Sequence, residues 1–261
     1  MTSSETIILE TMDGEEANLM VATSQIVELA MRAVSNQQNE ILNIGKEIVS
    51  TFVRGGKVYT FGAGHAQAFA MELTSRAGGL NFYQSMNLQD IRDVVRDSFW
   101  DLRDSVPERI PENGIKVLDH HKVGVKDMVI IASQSGRNGA PIEMALECRR
   151  RGIRTVGISS LEHTSKVASR HDSGKMLMDV VDYFLNNGSV LGDAVIKAPN
   201  GRNICAASSV CFTLLAQGIN FEVTRILLER GIDPPILVSA NLDHGDKSNL
   251  TFKRETPPKV L

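Results

Sequence analysis

Just ahead of a helix start, the chain places two hydroxyls, two carboxamides and an arginine within six residues. The loop reads Ser133-Gln134-Ser135-Gly136-Arg137-Asn138 and follows the apolar run Met128 to Ala132. Pro141 marks the first helical turn, where the N–H that proline lacks would have had no partner. Ile142, Ala145 and Leu146 then recur at helical spacing, Arg149 to Arg151 complement the negative end of the dipole, and Gly152 closes the helix. Strand, polar loop and helix N-terminus together offer unpaired N–H groups and a positive dipole end to an anion. Ser133, Ser135 and Asn138 add side-chain donors, and Arg137 adds a charge. A plainly capped helix entry has the same outline, so these residues alone leave both readings open.

A second strand–glycine loop–helix turn lies upstream. Lys57 to Phe61 feeds Gly62-Ala63-Gly64-His65 and a helix expected from about Ala66 to Ala77. Two such turns on one parallel sheet meet at the carboxyl ends of the strands, where α/β proteins gather ligands. On that helix Glu72 is a candidate proton-transfer base, since a carboxylate beside a low-dielectric cleft can be tuned for the task. The plain alternative is an ion pair with Arg76 at i,i+4. His65 sits where a helix dipole favours the neutral imidazole, able to polarise a carbonyl, touch an anion or cap the backbone. His171 and Lys175, in Arg170-His171-Asp172-Ser173-Gly174-Lys175, face either the second loop, a subunit boundary or solvent. Ser208 and Ser209 precede a long helix, as caps or as contacts through its N-terminus.

Other chemistries find less support. His244 stands among Asp243 and Asp246 without a further ligand at metal spacing, and His120, His121 and His163 read as exposed. There is no Gly-x-Ser-x-Gly elbow for a serine hydrolase, and Gly62-x-Gly64 lacks the third glycine of a dinucleotide loop. Cys148, Cys205 and Cys211 form no CxxC pair and read as buried free thiols of a reducing compartment. A net charge of −3 gives no electrostatic reason to expect nucleic acid or an anionic membrane, so any anion site must be local. No basic leader precedes an apolar stretch and no run approaches bilayer length, which makes a cytoplasmic protein the expectation.

At 261 residues, 42% hydrophobic and 23% charged, the chain is long enough for one sizeable α/β core. The expected order starts with a polar leader over residues 1–14, loose apart from Ile7-Ile8-Leu9. Two helices follow between Glu15 and Arg54, separated by the polar knot Ser35 to Asn39. Strands are expected at Lys57–Phe61, Leu80–Gln84, Met128–Ala132, Thr155–Ile158 and Val180–Leu185, with a short helix over Ile115–His121. Residues Asp90 to Lys126 are charge-rich, with Pro107 and Pro111 bracketing a turn. Pro199-Asn200-Gly201 signals a hairpin. A long helix from Ala206 to Arg230 carries the stripe Val210, Leu214, Ile219, Phe221 and Ile226. Alternation of strands and helices over residues 15–235 implies one three-layer, doubly wound parallel α/β sheet with an N-terminal helical layer. Residues 236–261 read as a polar tail.

The two loops resemble the signature loops of the SIS (sugar isomerase) domain family. The wording Ser-Gly-Arg-Asn-x-x-Pro-Ile-Glu-Met-Ala resembles its UPF0309, phosphoheptose-isomerase-like subfamily. So do Ser169-Arg170-His171 with Ser173-Gly174-Lys175, Gly192-Asp193-Ala194 and Ser239 to Asp243. The resemblance spans nearly the whole chain. It implies the SIS fold and a phosphorylated-sugar ligand, with Ser133, Ser135 and Asn138 lining the phosphate pocket and Gln134 and Gly136 lending backbone. Arg137, Gly64, Ser208, Ser209 and Lys175 complete the expected binding set. An aldose–ketose isomerase is implied, working through an enediolate with Glu72 as base and His65 or His171 as acid. Neither cofactor nor metal is called for, and a homodimer or larger homo-oligomer follows, because SIS sites commonly borrow residues from a neighbouring subunit. A departure stands at Ala66, where SIS proteins often carry a serine in the first loop. That leaves a non-catalytic sugar-phosphate sensor, or a phosphosugar lyase, as the competing readings.

Overall fold

The computed structural model describes residues 8–92 and 106–250. The chain opens with strand β1 (Glu10–Thr11) and helices α1 (Leu19–Ser35) and α2 (Gln38–Val53). Strand β2 (Val58–Gly62), a 3-10 turn at Gly64–Ala66 and α3 (Gln67–Leu73) come next, then β3 (Tyr83–Met86). Short helices α4 (Val106–Arg109) and α5 (Glu112–His120) lead to β4 (Met128–Ala132) and α6 (Gly139–Arg150). After β5 (Arg154–Ser159), α7 (Leu161–Thr164) and β6 (Tyr183–Asn186), a hairpin pairs β7 (Ala194–Lys197) with β8 (Asn203–Ala206). The long helix α8 (Ser208–Glu229) and a final turn, α9 (Gly245–Leu250), end the described chain.

Five strands pair in parallel in the order β3-β2-β4-β5-β6. The winding direction reverses between β2 and β4, so a crevice opens between the loops that follow those two strands. Period-two alternation splits each strand between two cores: Met128, Ile130 and Ala132 face one, Val129 and Ile131 the other. The first core is covered by α2, α3 and α8, the second by α5 and α6. The doubly wound parallel sheet with an added helical layer is therefore the architecture of the protein.

The polar knot does separate two helices, and its Gln37 has a long-range task. Its amide donates to the carbonyls of Ala33 (2.6 Å) and Asn186 (2.7 Å) and accepts from the Asn186 N–H at 2.7 Å, fastening the α1–α2 turn to the end of β6. The leader is not wholly loose, because Glu10 and Thr11 pair with Lys197 and Ile196. The tail also docks: Ile236 bridges Leu80, and Leu237 exchanges backbone hydrogen bonds with Gly78 and Gly79. That contact occupies Leu80, which was expected in a strand that instead starts at Tyr83. Helix α3 ends at Leu73, four residues early, because Thr74 is extended and Ser75 turns to φ +54°. Pro107, expected in a turn, is buried inside α4, while residues 93–105 of the charge-rich stretch lie outside the described chain.

Helix α8 corrects two expectations. Its buried face is Cys211, Phe212, Leu215, Ala216, Ile219, Val223, Ile226 and Leu227, whereas Val210 and Phe221 are exposed. At 22 residues and mean hydropathy 1.2 it does reach the length and composition of a membrane span. Here it is a core helix, packed on α1, α2 and α3. Its outward face, with Val27 and Met31 of α1 and Met71 of α3, leaves apolar side chains exposed.

Candidate functional site

The second loop leaves β4 and enters α6. Four of its carbonyls are tied outward: the Ser160 N–H donates to the Gln134 carbonyl and Thr164 Oγ1 to that of Ser135 (both 3.0 Å), the Leu177 N–H to that of Gly136 and the Arg170 N–H to that of Arg137 (both 2.8 Å). Gly136 takes φ +59°, a conformation costly for other residues, and a Cβ there would stand 3.0 Å from Ser159 Oγ. With the carbonyls braced, the N–H groups of Gln134, Ser135, Arg137 and Asn138 find no acceptor among the described residues. The hydroxyls of Ser133, which is buried, and Ser135, which is half-buried, make no hydrogen bond there either. Unpaired donors around a helix N-terminus form a cradle for an oxyanion.

Asn138 has a different part from the one expected. Its Oδ1 accepts from Arg170 Nη1 at 2.9 Å, and its amide donates to Glu108, whose carboxyl is raised by burial against the opposing pull of Asn138 and two arginines. Both ends of the side chain are engaged, and it makes no capping bond to α6. Asn138 thus braces the cradle and contributes its backbone N–H. Burial, with the guanidinium groups of Arg137 and Arg109 close by, lowers the proton affinity of Arg170.

The first loop is plainer. Gly62 is required, because a Cβ there would meet the Ala66 carbonyl oxygen at 2.4 Å. Gly64 turns at φ +56° and His65 is exposed. Ala66 is buried and offers no hydroxyl, and Gln67 reaches Gln89 at 3.0 Å.

Glu72 lies at the far end of α3. It forms the ion pair with Arg76 and accepts from Gln217 Nε2 at 2.6 Å. It also lines an open groove of about 300 Å³ between α1, α3 and α8, with Val27, Met31, Val210, Leu214 and Gln217. Five rises from Gln67 to Glu72, at about 1.5 Å each, put Glu72 roughly 8 Å along α3 from the end of the first loop.

The remaining candidates do not converge. Both ring nitrogens of His171 are taken, Nε2 by Glu143 and Nδ1 by Ser173 (2.8 Å each), which fits a brace better than an acid. Lys175 is exposed. At the start of α8, Asp193 accepts from the Ser208 N–H and from the hydroxyls of Ser208 and Ser189 (2.7 to 2.8 Å), so a carboxylate already fills that helix N-terminus. Ser209 is half-buried beside it. His244 only closes a backbone turn onto Ser248. Two histidines expected on exposed segments are half-buried instead: His121 pairs with Asp90 at 2.8 Å, and His163 sits over the second loop. Cys148 is buried, which pushes its thiol up to about 12; Cys205 is exposed.

Asp193, Arg170 and Thr164 are supports that spacing did not single out. Asp193 adopts φ +74° in the turn that leads into β7, one of four described non-glycine residues at positive φ, and its Gly192-Asp193 pairing was the available turn signal.

Comparison with known proteins identifies the family. A family model described as the SIS domain matches residues 23–160. A UPF0309 protein of Halalkalibacterium halodurans is 36% identical over 83% of this chain and 88% of its own length. A UPF0309 protein of Streptomyces avermitilis is 35% identical over 90% and 93%. Among solved structures, a phosphoheptose isomerase from Neisseria gonorrhoeae aligns at TM-score 0.52 and 12% identity, over 79% of this chain and 97% of that one, which speaks to the fold. Sheet order, the two loops and the sequence relatives lead to one conclusion: the chain belongs to the SIS domain family and, within it, to the UPF0309 proteins.

Proposed function

We propose that the protein binds a phosphorylated sugar in the second loop and interconverts its aldose and ketose forms. The observation that carries this reading is the braced loop at the start of α6, with four N–H groups and two hydroxyls that have no partner among the described residues. Such a set matches the oxygens of a phosphate group. Glu72 is the base, taking the proton from the carbon next to the carbonyl and returning it to the neighbouring carbon through an enediolate. To act, its carboxylate must exchange Gln217 or Arg76 for substrate. His65 is the better acid, because its ring is exposed while that of His171 is engaged twice. The span from the loops to Glu72 favours an open-chain sugar whose carbonyl and phosphate lie at opposite ends.

A sensor without catalysis is the second reading. Ala66 and the double engagement of Glu72 favour it. Sugar phosphates incubated with the protein in deuterated water separate the two. Wash-in of deuterium next to the carbonyl, lost by at least a hundredfold in Glu72→Gln with binding retained, is the expected outcome. Binding with no exchange would sink the isomerase and leave the sensor.

A further inference from the structure

Three side-chain nitrogens beside the second loop are buried without a partner among the described residues: Gln134 Nε2, Arg137 Nε and His163 Nδ1. Arg137 is half-buried, and its guanidinium meets no acceptor among the described residues. A donor nitrogen buried without an acceptor is costly, so an acceptor belongs beside Arg137 Nε and Gln134 Nε2. The described residues around it do not supply one. Glu108 is turned to Asn138, and Asp193 is committed to Ser189 and Ser208. Arg137 lies close enough to His163 and Arg170 to work, after burial, against the protonation of each, while Asp193 and Glu162 beside His163 and Glu108 beside Arg170 work the other way.

The position is also distinct. Gln134 points across β5, its Oε1 accepting from Asn187 beyond β6 at 2.6 Å, and His163 belongs to α7, after β5. The first loop and Glu72 lie on the opposite flank, beyond β2. The unpaired backbone N–H groups sit between.

We propose that Arg137, with Gln134 and His163, forms a second anion subsite that takes a carboxylate carried by the phosphorylated sugar. A guanidinium fork matches a carboxylate bidentately, and an amide N–H alongside suits the remaining lone pair. The inference rests on the second loop being the phosphate site, and it narrows the substrate to phosphosugars with an additional acidic group.

Calorimetric titration with 6-phosphogluconate and sorbitol 6-phosphate tests it, since the two chains differ only in carboxylate against hydroxymethyl at one end. The acid is expected to bind about tenfold more tightly, and Arg137→Met to bring the ratio near one. Equal affinities for the wild-type protein would overturn the subsite while leaving the phosphosugar reading in place. A ratio that survives in Arg137→Met, with its melting curve unchanged, would overturn the role of Arg137. If neither ligand nor inorganic phosphate binds, the phosphosugar reading falls and the subsite with it.

Discussion

The two loops at the carboxyl ends of β2 and β4 share an outline and differ in what holds them. The second is braced from outside by Thr164, Arg170 and Leu177, each taking a carbonyl, and Arg170 also grips Asn138. Its donors therefore face inward without rearrangement. The first is shaped mainly by steric clearance at Gly62 and by one side-chain bond from Gln67, and it offers an exposed histidine where a hydroxyl is absent. Preorganisation, rather than the mere presence of glycine before a helix, is what the second loop, proposed to hold phosphate, has and the first lacks.

The largest effect that would test this contrast is on folding. Gly62→Ala drives a Cβ into the Ala66 backbone and is expected to cost about 3 kcal/mol, whereas Gly136→Ala, facing a serine side chain at positive φ, costs about 1–2 kcal/mol. Denaturant melts of both variants decide, and the reverse order would break the comparison. Next comes ligand affinity. Ser135→Ala should weaken phosphosugar binding by about tenfold in a titration, more than His65→Ala or any other single change from Ala63 to Gln67. An equal loss from the first loop would place the grip there.

The smallest effect concerns pH. Burial alone would raise the Asp90 carboxyl, but hydrogen bonds from His121 and the Asn87 N–H outweigh it and hold the group below its usual value. A carboxylate depressed in the folded state stabilises fully above its unfolded value, and that share is lost as pH falls through the folded one. Acid should therefore loosen the β3 end, which supports Gln67 through Gln89, below about pH 4. Asp90→Asn should flatten the acid limb of a stability–pH curve; an unchanged limb would remove this pair from the account.

Much of this was legible in the residues. The strand–loop–helix turns, the polar knot and the Pro-Asn-Gly hairpin are local signals, and each became the element that it announces. Helix α8 was read with two outward residues in its buried stripe because its exposed face is apolar too, and periodicity cannot tell which of two apolar faces a helix hides. Asn138 announced a polar contact, but its partners Arg170 and Glu108 come from about thirty residues away on either side. The leader and tail make two-residue pairings, too short for any periodic signal.

The pairing of Glu10 and Thr11 with β7 has a practical side. The hairpin that receives them runs straight into Asp193 and Ser208 at the head of α8. Whatever is fused ahead of residue 8 is thereby tethered to the scaffold of the crevice. An affinity tag or reporter at the amino end would tug on that hairpin, so a purification handle is better carried at the other terminus or released by a protease before ligand affinities are measured.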